Sequence, residues 1–246
     1  MSQKTLSRPR KAVVPASKSP AVAKKPVRRR LPPEERRGQI IAAARKLFAT
    51  GGLEHVSMRN IAREVGITQA AIYQHFQDKN EILFEIAESY FDELIEAHDR
   101  ITVRAKDPIE RMKLFMRAYV ENGVARPDVY RLVFMTVAPG MGEKNVHLPS
   151  PAAEELTKGQ ISYGQLHDRM RDLIEAGLVR DLDPTLAAEA IWAAGHGIVT
   201  LLITHRDMIT SPDQLITTQI DMLINGLLPD DSPSRKKDRK SGKRLR

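Results

Sequence analysis

The chain contains no cysteine. That absence removes disulfide frameworks, thiolate zinc sites and cysteine nucleophiles together, and it agrees with a reducing, cytoplasmic setting. No apolar run approaches the roughly 18 to 20 residues that a membrane span requires, and no signal-type apolar core follows the basic N-terminus. Neither secretion nor membrane insertion is expected. Phosphate-cradling loops are also missing, since neither G-x-G-x-x-G nor a P-loop lysine motif occurs. No G-x-S-x-G turn presents a serine. The seven histidines, spread from His55 to His205, include no H-x-x-x-H or H-E-x-x-H pair. Catalysis, a metal site and a cofactor are therefore not expected.

What is present is a 246-residue chain with 41% hydrophobic residues, enough for a sizeable core. Its formal charge of +8 is unevenly placed. Residues 1–33 hold ten Lys/Arg and no acid, and residues 229–246 hold eight Lys/Arg against Asp230, Asp231 and Asp238. The stretch between them is net acidic, so the basic balance describes two tails and says little about the body. Both tails mix Pro, Ser, Lys and Arg without apolar periodicity, and they are read as disordered because they cannot bury enough surface to offset chain entropy.

Between the tails the 3.6-residue period dominates and no alternating run argues for a strand, which predicts an all-α protein. A first helix opens at Pro33, with Glu34 and Glu35 at the positive end of its dipole, and buries Ile40, Ala44, Leu47 and Phe48 before Gly51 and Gly52 end it. Ser57 caps a second helix burying Met58, Ile61, Ala62 and Val65, and Gly66 breaks it. Thr68 caps a third over 69–75. The run Asp78 to Glu81 has the form of an acidic capping box for a long helix to about residue 104. Further helices are expected near 108–123, 127–136, 152–177, 184–205 and 212–227, with a loop at 138–150. The expected organisation is a basic tail (1–33), a small helical domain (34–80), a larger helical domain (81–228) and a second basic tail (229–246).

The segment from Ser57 to Phe76 has the grammar of a helix-turn-helix: two short helices meeting at a glycine, with small Ala62 four positions before it to permit a close crossing. If Ile67, Ala71 or Ile72, and Phe76 face the core, then Thr68, Gln69, Ala70, Tyr73 and Gln74 face outward with no acid among them. Such a surface suits a phosphate-lined major groove, where Gln can pair bidentately with adenine and a Tyr hydroxyl can reach a phosphate.

The run from Ile40 to Phe84, with Ala44, Phe48, Gly52, Ile61, Ala62, Val65, Gly66, Ile67, Ile72, Tyr73, His75, Phe76 and Lys79, resembles the N-terminal domain of TetR-family regulators. The resemblance implies that Thr68, Gln69 and Ala70 meet bases and that Tyr73, His75 and Lys79 position the DNA backbone. It also implies a C-terminal helical domain that binds a small effector and dimerises. Ala70 stands where that family often has glycine. Trp192, Gly195, His196 and Gly197 resemble the Trp…His-Gly signature of a subgroup whose last two helices form the dimer. Trp192, Gly195, His196, Gly197, Leu201, Met222 and Leu223 are the expected interface, the alternative being an intramolecular core helix with a satisfied buried His196. Met112, Phe115, Met116, Tyr119, Tyr130, Phe134 and Met135 could line a cavity for a small hydrophobic effector, or simply pack the core.

The expected function is a ligand-responsive transcriptional repressor, a homodimer on a palindromic operator of double-stranded DNA. The alternative is a nucleoid-organising protein that uses the same domain, its basic tails adding sequence-independent affinity.

Overall fold

The computed structural model describes residues 31–136 and 157–229. The two basic tails, the loop expected at 138–150 and the start of the helix expected from 152 lie outside the described residues. Nine α-helices occur among the described residues, and no strand: α1 (Pro33–Gly51), α2 (Met58–Val65), α3 (Gln69–Ile72), α4 (Lys79–Arg104), α5 (Pro108–Ala125), α6 (Pro127–Met135), α7 (Lys158–Glu175), α8 (Pro184–Thr204) and α9 (Pro212–Leu227). Short 3-10 turns sit at Leu53–His55 and Arg206–Met208.

Local chemistry explains most of the boundaries. Side-chain oxygens of Ser57, Thr68, Asp78, Asp107 and Asp183 each accept from the backbone N–H three residues on, and Thr157 forms a full capping box with Gln160. The expected box at Asp78 is half realised. Asp78 accepts from Glu81 N at 2.9 Å, but the Glu81 carboxylate reaches one residue further back, to Gln77 N at 2.5 Å. Prolines at 108, 127, 184 and 212 occupy first helical turns, where the missing N–H costs no helical bond.

The third helix is shorter than its expected span of 69–75. It closes after Ile72, because Ile72 and Phe76 are drawn into the core and the chain tightens into turns between them. Gly66 adopts φ 74° and ψ 37°, the left-handed region where a side chain is penalised. Its N–H donates to the carbonyls of Ala62 and Arg63, closing α2.

α1 packs against α2, α4 and α6; α4 packs against α5 and α7; α8 crosses α5 and α7, and α9 lies on α5. One apolar core runs from Ile40 through Ile82, Phe115 and Val199 to Ile224. α4 passes unbroken through the boundary expected at residues 80 and 81, so the elements around the second and third helices share a long rod with everything that follows.

α8 corrects one expectation. An 18-residue stretch of it reaches a mean hydropathy of 1.6, long and apolar enough by length and composition to cross a membrane, and 33% of that stretch is buried. The reason is that α8 is apolar on two faces. Ala188, Ile191, Ile198 and Val199 pack inward, while Leu186, Ala190, Ala193, Gly197 and Leu201 are exposed.

Candidate DNA-reading face and inner cavity

The outward face of α3 is built by what lies beneath it. Ile72 and Phe76 are fully buried against Ile40, Ile61 and Ile82, which leaves Thr68, Gln69, Ala70, Tyr73 and Gln74 exposed. Tyr73 is 52% exposed despite being a large ring, and Gln69 Nε2 donates to its hydroxyl at 3.4 Å across one turn. No acid stands on this face. His75 and Lys79, expected beside it, are half-buried, Lys79 as the first residue of α4.

Arg37 of α1 holds this unit together from behind. Its guanidinium lies over the Phe76 ring at 4.1 Å, donates to the His75 carbonyl and pairs with Glu85 of α4. The His75 carbonyl, in the turns that follow α3, is thereby satisfied by a cation. The sequence reading missed Arg37 because it belongs to neither short helix. Its signal was a basic residue one turn before Ile40 on the stripe that meets α4.

A cavity lies deeper in the molecule, between α4, α5, α6, α7, α8 and α9. Phe115, Met116, Tyr119 and Phe134 line it, as expected. Three expected lining residues do not. Met112 is sealed in the core, Tyr130 is fully buried beside the cavity with its hydroxyl on His196 Nδ1, and Met135 ends α6 facing solvent at 40% exposure. Phe91 and His98 of α4, Tyr163 of α7, and Gln219 and Ile220 of α9 also line it and were not anticipated. His98 was the legible clue, since it continues the buried series Leu83, Ala87, Phe91 and Leu94 where an apolar residue is the norm. The free space in the cavity is about 60 Å³, far below the roughly 300–1,000 Å³ typical of a pocket for a drug-sized ligand.

The residues expected at a dimer interface fall into two sets. Gly197, Leu201 and Met222 are exposed, Met222 at 70%. Trp192, Gly195, His196 and Leu223 turn toward the interior instead. Trp192, Gly195 and Leu223 line the cavity, and a Cβ on Gly195 would sit 3.1 Å from the Tyr119 ring. Tyr119 Oη lies 3.2 Å from His196 Nε2, and the Trp192 and His196 rings are 4.9 Å apart. Helical spacing explains this: Trp192 and His196 are one turn apart and share the inward side, whereas Gly197 lies on the opposite one. Burial raises the Tyr130 hydroxyl to about 12 and that of Tyr119 well above the ordinary tyrosine value, so both stay protonated.

The outer and inner sites are physically joined. Asp128 in the first turn of α6 pairs with Arg45 of α1 at 3.0 Å, while Phe134 near the other end of α6 lines the cavity. α4 does the same on a larger scale, from Lys79 beside the reading face to His98 in the cavity wall.

Comparison with known proteins follows this division. Residues 40–86 match the bacterial regulatory proteins of the tetR family, and residues 112–223 match the tetracyclin repressor-like C-terminal domain. The HTH-type transcriptional activator FasR of Mycolicibacterium smegmatis is 30% identical over 105 residues, 43% of this chain and 48% of that protein. The HTH-type transcriptional repressor KstR2 of the same organism is 29% identical over 102 residues, 40% and 50% of the two chains. The chain thus spans about half the length of the curated relatives it matches. A solved structure of a protein of unknown function from Rhodococcus sp. RHA1 has a TM-score of 0.64 at 25% identity, covering 84% of this chain and all of that one.

Proposed function

Because the chain belongs to the TetR family of bacterial regulatory proteins, we propose that it is a sequence-specific transcriptional repressor of the cytoplasm, a homodimer released from its operator by a small hydrophobic effector. The observation that supports this most is the acid-free face of Thr68, Gln69, Ala70, Tyr73 and Gln74, raised on the buried Ile72 and Phe76. A short helix with small and amide side chains outward can enter a major groove. Gln69 is suited to base edges, and Tyr73, His75 and Lys79 to the flanking phosphates.

The exposed apolar stripe of α8, continued by Met222 of α9, supplies the second part of the proposal. Leu186, Ala190, Ala193, Gly197 and Leu201 recur at four, three, four and four residues, a continuous helical stripe left in solvent by this chain. Pairing two copies through it would bury that stripe, and Gly197 with the neighbouring alanines would let the helices approach closely. A two-fold pair implies a palindromic operator with half-sites about 34–36 Å apart.

In this reading the cavity is the effector site. With about 60 Å³ of free space, it must widen to admit a molecule of ordinary size. Widening would move α4 and α6, both of which reach the reading head. An effector that binds the widened form better therefore weakens DNA binding, and DNA weakens effector binding by the same factor.

Sequencing the DNA retained by the purified protein from a random pool tests the proposal. Recovery of a symmetric motif with half-sites one helical turn apart is the expected result. Recovery of unrelated sequences with uniform, steeply salt-dependent affinity would instead favour the nucleoid-organising reading that the basic tails suggest.

A further inference from the structure

The cavity wall contains one fully buried group whose hydrogen bonding is incomplete. His98 is 2% exposed, lines the cavity, and its Nε2 has no partner. Resting on the reading of the cavity as the effector site, we infer that the effector is an uncharged, mainly apolar molecule carrying one hydrogen-bond donor, a hydroxyl or an amide N–H, received by Nε2 of His98.

The role of Nε2 follows from its neighbours. The Gln165 amide nitrogen faces Asp99, donating to Oδ1 at 3.5 Å, which turns Gln165 Oε1 toward His98 Nδ1 at 3.3 Å. A carbonyl oxygen can only accept, so Nδ1 holds the ring proton and Nε2 is left as a lone pair. The ring is fixed in orientation as well. It stacks on Phe115, whose other partner is the Arg169 guanidinium at 3.7 Å from the ring centre. Burial, helped by the nearby Arg169 charge, lowers the His98 pKa to about 3, outweighing the hydrogen bonds to Gln165 and to the Phe115 backbone, so the ring remains neutral and offers an acceptor throughout the physiological range. A buried acceptor without a donor carries an uncompensated desolvation cost, which a ligand donor removes.

The rest of the wall defines the remainder of the molecule. No Lys, Arg, Asp or Glu is among the described residues that line the cavity. A charged group inside would be unpaired in apolar surroundings, so carboxylates and amines are disfavoured. The aromatic and aliphatic lining, with Phe91, Phe115, Trp192 and Leu223, favours a hydrocarbon skeleton.

Trp192 is the chain's sole tryptophan and lines the cavity, so its fluorescence reports occupancy without DNA. The probes are the alcohol, methyl ether and carboxylate of hexyl, decyl and cyclohexylmethyl skeletons, titrated into the full-length protein. On the best-binding skeleton the alcohol is expected to bind about tenfold tighter than its ether, and the carboxylate weaker than both. In His98→Phe the alcohol preference should fall to about one while ether binding persists. Gln165→Leu, which leaves the ring in place but frees its tautomer, should reduce the preference several-fold and serves if His98→Phe does not fold. Equal binding of alcohol and ether, tightest binding by a carboxylate, a preference that survives both substitutions, or no binding by any probe would overturn the inference. Release of selected DNA is measured separately. An alcohol that binds through His98 without releasing DNA upholds the ligand chemistry and refutes the ligand-responsive reading. Release that does not discriminate alcohol from ether does the reverse.

Discussion

The two working parts of this molecule treat polar side chains in opposite ways. Around α3 the apolar residues Ile61, Ile72 and Phe76 are sealed in, and the amides and hydroxyls of Thr68, Gln69, Tyr73 and Gln74 are given to solvent. Around the cavity the outer surface is the apolar one, with Leu186 at 66% and Met222 at 70% exposure, while His98, His196 and Gln219 face inward. A surface that reads nucleic acid has to keep its polar groups available, whereas one that pairs with a second copy has to keep its apolar groups available. Each part is therefore fragile in its own way: the reading head depends on a thin core, and the larger half depends on interior polar groups staying neutral or paired.

Hollowing the thin core of the reading head should have the largest effect. Ile61→Ala removes a fully buried side chain and should cost about 3 kcal/mol by urea unfolding, with DNA binding lost in parallel. Acid should strike the other half. His98 titrates near 6.5 when unfolded and near 3 when folded, so the unfolded chain binds the extra proton between those values. Stability is fully present above pH 6.5 and declines as the pH falls toward 3. The protein should be about 2 kcal/mol less stable at pH 5 than at neutral pH on this account, and His98→Phe should flatten that part of the profile.

A smaller loss, about 1 kcal/mol, is expected for Gly66→Ala, because φ 74° penalises a Cβ. Thermal melting would register it, and an unchanged midpoint would mean that the turn relaxes. Arg45→Ala should cost least, under about 1 kcal/mol, since the Arg45 side chain is 39% exposed and water screens the pair. Its effect should instead appear in how strongly effector binding weakens DNA binding, measured as a ratio of affinities with and without effector.

The same contrast explains what could be read from the sequence. The caps at Ser57, Thr68 and Asp78 and the stop at Gly66 act over three or four residues, so the reading head was legible nearly to its boundaries. The end of α3 was not, because burial of Phe76 decides it from outside the segment. The cavity is assembled from six helices spread along the sequence. Periodicity in α5 and α6 found Phe115, Met116, Tyr119 and Phe134, yet could not reveal that Tyr163 or Gln219 would meet them. α8 was the hardest case. A helix apolar on both sides gives no hydropathy signal for which side faces in, so Trp192, Gly195 and His196 were grouped with the exposed Gly197 and Leu201.

In the proposed function the exposed polar side of α3 discriminates among DNA sequences while its neighbours hold the DNA backbone. Competition gel shifts of the selected operator against random duplex, run for the wild type, Gln69→Ala and Lys79→Ala over a range of salt, test it directly. Gln69→Ala should lower the ratio of operator to random affinity by about tenfold, consistent with roughly 1–3 kcal/mol of discrimination per bidentate base contact. Lys79→Ala should weaken both duplexes alike and flatten the salt slope. Full discrimination retained without the Gln69 amide, together with an unchanged salt slope without the Lys79 ammonium, would rule out this role for α3.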